Sequence, residues 1–170
     1  MRLIKKLSSK YFSKREDQVV DVVVLHSMYA PKSKTPFKLE TCKKLLDRYE
    51  VSAHYIIDRR GGVINCVDLE DKAWHAGESL MPPPDSRSGV NAFSIGIELI
   101  GPENGPGFTK SQYEALRKVF KEIANKFKIK SIVSHKVIAP TRKTDPWNIN
   151  PVDVSKIARE EFGKRIKILL

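Results

Sequence analysis

Val19-Val20-Asp21-Val22-Val23-Val24-Leu25 is a short, β-branched and almost unbroken apolar run that stops at His26. Such a run predicts a strand buried on both faces in the middle of a sheet, because a half-exposed strand would alternate apolar with polar residues. Working outward, Leu39, Cys42, Leu45, Leu46 and Tyr49 recur at helical spacing. With Thr35 as N-cap and Pro36 at the first helical position, they predict a helix over 36–50. His54 to Asp58 and Val63 to Val67 flank Arg59 to Gly62, a pattern that predicts two strands joined by a tight Gly-Gly turn. Residues 76–91 hold Gly77, Pro82, Pro83, Pro84 and Gly89, and predict a long surface loop.

Phe93 to Ile100 predicts another strand, ended by the glycines of 101–107. Thr109 with Gln112 forms a capping box before Tyr113, Leu116, Phe120, Ile123 and Phe127, so a helix is expected over 110–127. Ile129 to Ser134 reads as a strand ending at His135, and a last helix begins near Pro151. Strands and helices alternate. The expected fold is therefore a single α/β domain, with a central mixed, mostly parallel sheet flanked by about three helices.

A chain of 170 residues, 41% hydrophobic and 30% charged, fits one globular domain, and no stretch approaches the ~18 apolar residues of a transmembrane helix. The net charge of +11 raises the question of a nucleic-acid partner, so its distribution matters. Residues 1–15 hold six basic side chains, Arg2 among them, and no acid, while residues 156–170 carry a net +3. The 140 residues between them hold 20 basic against 18 acidic side chains. A near-neutral centre argues against nucleic acid and leaves the tails a means of weak surface association. The sequence thus divides into a basic segment 1–18, a central domain 19–163 and a basic tail 164–170. The N-terminus lacks both the apolar run and the small-residue cleavage site of a signal peptide. That favours a cytoplasmic location, with export through a degenerate basic segment left open. Cys42 and Cys66 match no metal-ligand spacing and are expected to be buried free thiols.

In open sheets of this kind ligands gather at the strand ends. His26 and His135 both follow directly on a strand, and Asp145 lies ten residues after His135 between Pro140 and Pro146. Two imidazoles and a carboxylate are a ligand set for catalytic zinc. Strand-terminal histidines also serve at surfaces, and Asp before Pro also starts turns, so spacing alone leaves both readings open. Glu98 is a single acid inside the strand run Ile95 to Ile100, facing either solvent or a polar cavity. Lys143, two residues before Asp145, is either a surface cation or a stabiliser of negative charge in the same cleft.

Five local strings carry a resemblance: Val24-Leu25-His26-Ser27, VSAHYIIDRRGGVI from Val51, Ala73-Trp74-His75-Ala76-Gly77, SIGIEL from Ser94, and the pair SHKVIAP with RKTDP. Together they resemble the type-2 N-acetylmuramoyl-L-alanine amidases, most of all the AmpD-like bacterial enzymes, over about residues 19–150. That family shares its fold with peptidoglycan recognition proteins and phage amidase lysozymes. The resemblance implies one zinc ion per chain on His26, His135 and Asp145, with Glu98 and Lys143 as catalytic residues. It implies hydrolysis of the amide between N-acetylmuramic acid and the L-alanine of the stem peptide, on peptidoglycan or muropeptide. Asp145 replaces the cysteine of the recognition-protein branch, and Ala53 stands where relatives often carry tyrosine, so a tyrosine-assisted route is not expected. Trp74, His75, Arg87 and Asn91 are expected at the substrate groove, and His54 as a structural histidine or a residue behind the ligands. A non-catalytic peptidoglycan-binding module of the same fold is the alternative, which the full set of five residues argues against.

Overall fold

The structure, a computed structural model, describes residues 5–170, so Arg2 lies outside the described residues. In chain order the elements are β1 (Lys5–Lys6), β2 (Phe12–Lys14), β3 (Val22–Met28), α1 (Leu39–Arg48), β4 (Tyr55–Ile57), β5 (Val63–Asn65) and β6 (Asp71–Ala73). A single 3-10 turn (Val90–Phe93) then leads into β7 (Ser94–Ile100), α2 (Lys110–Ala124), β8 (Ser131–Ser134), α3 (His135–Ile138), α4 (Pro151–Phe162) and β9 (Lys167–Leu169).

The valine run becomes β3, fully buried and close to the centre of a seven-stranded sheet of order β1-β5-β4-β7-β3-β8-β9. Every pairing in that sheet is parallel except the β4/β5 hairpin, which pairs Ile56 with Ile64. This is the mixed, mostly parallel α/β architecture the alternation of elements predicts. At the hairpin turn the Asp58 carboxylate accepts from the Arg60 and Gly62 N–H groups at 2.8 and 2.7 Å, and Gly61 takes φ 75°. A Cβ on Gly61 would lie 2.7 Å from the Ser111 carbonyl oxygen, so this position is closed to any side chain.

The two faces of the sheet differ. Behind it, Val23, Leu25, Ile95, Ile97, Leu99 and Ile132 pack against α2 and α4 in the main core. In front, residues of the opposite parity form two smaller apolar clusters, one around Val22, Val24 and Val133, the other around Met28, Ile56, Ile100 and Cys42 of α1. Between these clusters the front face is polar: His26 on β3 is paired in register with Glu98 on β7. Because side chains alternate along a strand, both project to this same face.

α2 begins where expected: the Thr109 side chain accepts from the Gln112 N–H and the Gln112 side chain accepts from the Thr109 N–H. α1 begins three residues later than the sequence suggests, with Lys38 at its N-cap. The Pro36 carbonyl is taken by the Ala30 N–H at 2.9 Å, and Thr35 pairs with Thr41 through their hydroxyls at 2.8 Å, so neither serves the helix as read. Four short strands escape sequence reading. β1 and β9 extend the two sheet edges from segments read as tails, and β2 pairs with β6 in a separate two-stranded ribbon. Cys42 and Cys66 are buried free thiols. Among the described residues no helix is long and apolar enough to cross a membrane.

Candidate metal centre

His26 ends the hydrophobic part of β3, and His135 is the first residue after β8, so the parallel pairing of these strands brings two imidazoles side by side. The segment after α3 turns back over them. There the Lys136 N–H donates to the Asp145 carbonyl at 2.9 Å, and the Trp147 N–H donates to the Ser27 hydroxyl at 2.9 Å. These bonds place the Asp145 carboxylate at the end of β3. His26, His135 and Asp145 are all buried and form one cluster of candidate metal ligands.

The hydrogen-bond partners fix which ring nitrogen faces the centre. His135 Nε2 lies 3.3 Å from the Ala76 carbonyl, which can only accept, so Nε2 carries a proton and Nδ1 is the nitrogen turned to the centre, a lone-pair donor in the neutral ring. Nδ1 of His135 lies 3.0 Å from Nδ1 of His26 and 3.2 Å from Asp145 Oδ2, and His26 Nδ1 lies 3.5 Å from the same oxygen. Burial holds the His26 imidazole neutral into acid, its pKa brought down to about 4. With both rings neutral, three lone-pair donors converge on one point, an arrangement that a cation resolves. A tetrahedral site with bonds of about 2.0–2.1 Å has ligand–ligand edges of about 3.3–3.4 Å, close to the observed separations. Two neutral nitrogens and one carboxylate oxygen suit zinc.

Glu98 borders the same cleft, 7% exposed, with Oε2 unpaired among the described residues. Burial pushes its carboxyl well above the ordinary value and Asp145 adds to the effect, while Lys143 opposes it. Lys143, half-buried, lines the same cleft, a groove of about 730 Å³. Trp74 stands at the rim, 38% exposed, with its Nε1–H donated to the Ser13 hydroxyl at 3.2 Å.

The other expected groove residues fare differently. His75 borders the cleft but is buried, with both ring nitrogens hydrogen-bonded inside the protein. Asn91 borders the cleft, but its Oδ1 accepts from the His75 and Ala76 N–H groups at 3.0 and 2.8 Å and so holds the backbone behind the ligands. Arg87 is not in the cleft. It donates to Asp21, just before β3, at 2.9 Å, is paired with Asp85, and lies over the Phe93 ring, at the opposite end of the strand from His26. Charge turned it away, since two carboxylates near the start of β3 are stronger attractors than an aqueous groove. His54 is structural: Nδ1 accepts from the Gly96 N–H at 3.0 Å, so Nε2 donates to the Asp71 carbonyl at 3.1 Å.

Sequence reading missed three contributors. Arg142 donates to the carbonyls of Ala76 and Glu78 at 2.9 and 2.6 Å, tying the Asp145 segment to the loop across the cleft. Tyr29 adds an aromatic wall, 5.9 Å from Phe37 and 6.1 Å from Trp147 between ring centres. Gly96 seats the His75 ring, since an added Cβ would fall 2.3 Å from its Cγ. A glycine inside an otherwise branched strand was the one available signal, because it marks close approach of another group.

Comparison with known proteins places this geometry. The profile of the N-acetylmuramoyl-L-alanine amidase family matches residues 16–148. The 1,6-anhydro-N-acetylmuramyl-L-alanine amidase AmpD of Haemophilus influenzae is 33% identical over 159 residues, spanning 84% of each chain. A crystal structure of an AmpD selenomethionine derivative superposes with a TM-score of 0.75 at 28% identity, over 91% of this chain and 93% of that one. The crystal structure of AmpDh3 from Pseudomonas aeruginosa in complex with anhydromuramic pentapeptide gives 0.66 at 27% identity, over 89% of this chain and 63% of that one. The chain therefore belongs to the N-acetylmuramoyl-L-alanine amidase family and is AmpD-like.

Proposed function

We propose that the protein is a zinc-dependent N-acetylmuramoyl-L-alanine amidase that cleaves the lactyl–L-alanine amide of soluble anhydro-muropeptides during cell-wall turnover. The observation that carries this reading is the convergence of three potential ligand atoms, one each from His26, His135 and Asp145, beside a buried Glu98 whose Oε2 has no partner among the described residues. The substrate class is supported by the AmpD relative, named for a 1,6-anhydro-muramyl amide, and by the anhydromuramic pentapeptide in the AmpDh3 complex.

His26, His135 and Asp145 are the residues that would hold zinc, and zinc there supplies Lewis acidity, making water more acidic and polarising a carbonyl oxygen. Glu98 takes the proton of the attacking water on Oε2 and gives it to the departing L-alanine nitrogen. Its raised affinity for protons fits a group that must hold one between the two events. Lys143 brings positive charge to the cleft wall, where it offsets the oxyanion that develops on the lactyl carbonyl. Trp74, Tyr29 and Trp147 border the groove and offer apolar surface to the sugar and stem peptide.

The deciding experiment follows amino-group release from soluble anhydro-muropeptide and from insoluble sacculi, with purified protein stripped by chelator and then reloaded. Release from the soluble substrate that vanishes on stripping and returns with zinc is expected. Full activity after verified metal removal would falsify the metal assignment, and faster release from sacculi would overturn the substrate preference.

A further inference from the structure

Behind the metal-facing nitrogen of His26 runs a line of hydrogen bonds whose directions are set from its far end. The Ser94 hydroxyl oxygen lies 2.6 Å from the Val90 carbonyl oxygen. A carbonyl can only accept, so the hydroxyl hydrogen is spent there and Ser94 Oγ presents lone pairs to its other neighbour. That neighbour is His75 Nε2, at 3.1 Å, which must therefore carry the proton. A neutral imidazole has one N–H, so His75 Nδ1 is an acceptor, and it lies 2.9 Å from His26 Nε2. The proton of His26 then sits on Nε2, and Nδ1 is left bare toward His135 and Asp145.

The surroundings hold this line in place. His75 is buried, and its ring nitrogens face His26 and Ser94 with no carboxylate to pair a charge, so the ring is neutral. Its backbone is fixed by Asn91, and its ring lies on Gly96, where any side chain would collide with it. With both nitrogens engaged, the ring has nothing left to offer a substrate.

We propose that His75 is a positioning residue: anchored through Ser94 to the Val90 carbonyl, it selects the tautomer and fixes the orientation of His26 as a metal ligand. This inference rests on the zinc reading above. His135 is oriented by one backbone carbonyl, that of Ala76, whereas His26 is oriented through two side chains, and that route is open to mutation. Partners of this kind change metal affinity by about 10–100-fold when removed.

The test uses the full-length protein, with two readouts that do not involve turnover. One is the protonation of ring nitrogens by long-range proton–nitrogen NMR on metal-free protein; the other is the zinc dissociation constant by competition with a chromophoric chelator. Wild type is expected to show protonated Nε2 and bare Nδ1 on both His26 and His75. His75→Phe keeps ring bulk on Gly96 but removes the acceptor, and is expected to weaken zinc binding by about 10–100-fold, with Ser94→Ala weakening it by about tenfold. His75→Gln restores an acceptor and is expected to recover most of the loss. A wild-type spectrum with the proton on Nδ1 of either ring overturns the proposal, as does wild-type zinc affinity in both His75→Phe and Ser94→Ala. Should His75→Phe fail to fold, the wild-type spectrum and Ser94→Ala decide alone. Wild type that shows the expected protons but takes up no zinc overturns the metal reading instead, and the two failures are told apart by the spectrum.

Discussion

His26 and Glu98 are direct partners in the register of β3 and β7, so one strand pairing places the candidate ligand and the candidate proton carrier on the same face. No loop intervenes between them. The separation of these two side chains is thereby tied to the ladder of the sheet rather than to a flexible segment.

This pairing makes Glu98→Gln a clean probe. The amide matches the carboxylate in shape but cannot carry the proton, so kcat is expected to fall by about 10²–10⁴-fold. Stability should not fall with it, because a buried carboxylate whose Oε2 has no partner among the described residues is a cost to the fold and an amide is a smaller one. Urea unfolding beside muropeptide turnover checks both; loss of stability in parallel with activity would sink the assignment.

Gly96→Ala is expected to destabilise the protein by about 1–3 kcal/mol, since the new methyl would press on the His75 ring from 2.3 Å. The chemical shifts of His26 should move in the same variant, because the displaced His75 ring is hydrogen-bonded to it. A wild-type melting curve would show that the ring has room to retreat.

Arg15 is expected to be worth more than any other residue before β3. Its guanidinium donates to the carbonyls of Asn91, Ala92 and Ser94 at 3.1, 2.9 and 2.8 Å, and burial pulls its pKa down to about 10. Arg15→Ala strips three carbonyls of their donor at once and should cost about 2–4 kcal/mol in denaturant unfolding. Arg15→Lys, lacking the planar fork, should recover only a small part. A change below about 0.5 kcal/mol would mean that water replaces the donors without loss.

Burial pushes the Cys42 and Cys66 thiols up to about 12. The reactive thiolate is therefore scarce at pH 8 and grows only as pH rises toward that value. Titration of native protein at pH 8 with a disulfide reagent should find no fast thiol, and two after unfolding in guanidinium. Rapid reaction of either in the native state would contradict their burial.

Much of this arrangement can be read from the chain itself. The valine run fixes β3, and the Thr109–Gln112 capping box fixes the start of α2, because each is a local pattern with a local cause. The clustering of His26, His135 and Asp145, which could hold a metal ion, follows from the strand ends together with the family strings. What escapes reading is set at long range. β1, β2, β6 and β9 are two or three residues long, too short for any periodicity, and exist only through their neighbours. Arg87 and Asn91 are four residues apart in one loop, yet one turns to Asp21 and the other to the cleft, a choice made by charges distant in the chain. His75 borders the cleft as expected, but the sequence does not show that its two nitrogens are bonded inward to His26 and Ser94.

His26 and His135 are 109 residues apart in the chain, and Asp145 only ten beyond His135. Until β8 has docked beside β3, His26 has no ligand partner, so the centre comes into being with the closure of the sheet and not before. A metal taken up there binds the closed chain only, and at a hundred times its dissociation constant adds about 2.7 kcal/mol to the stability of that state. Metal uptake during refolding is thus a clock for the slow joining of distant strands: it should start only when the first and last of the three large parallel strands have met.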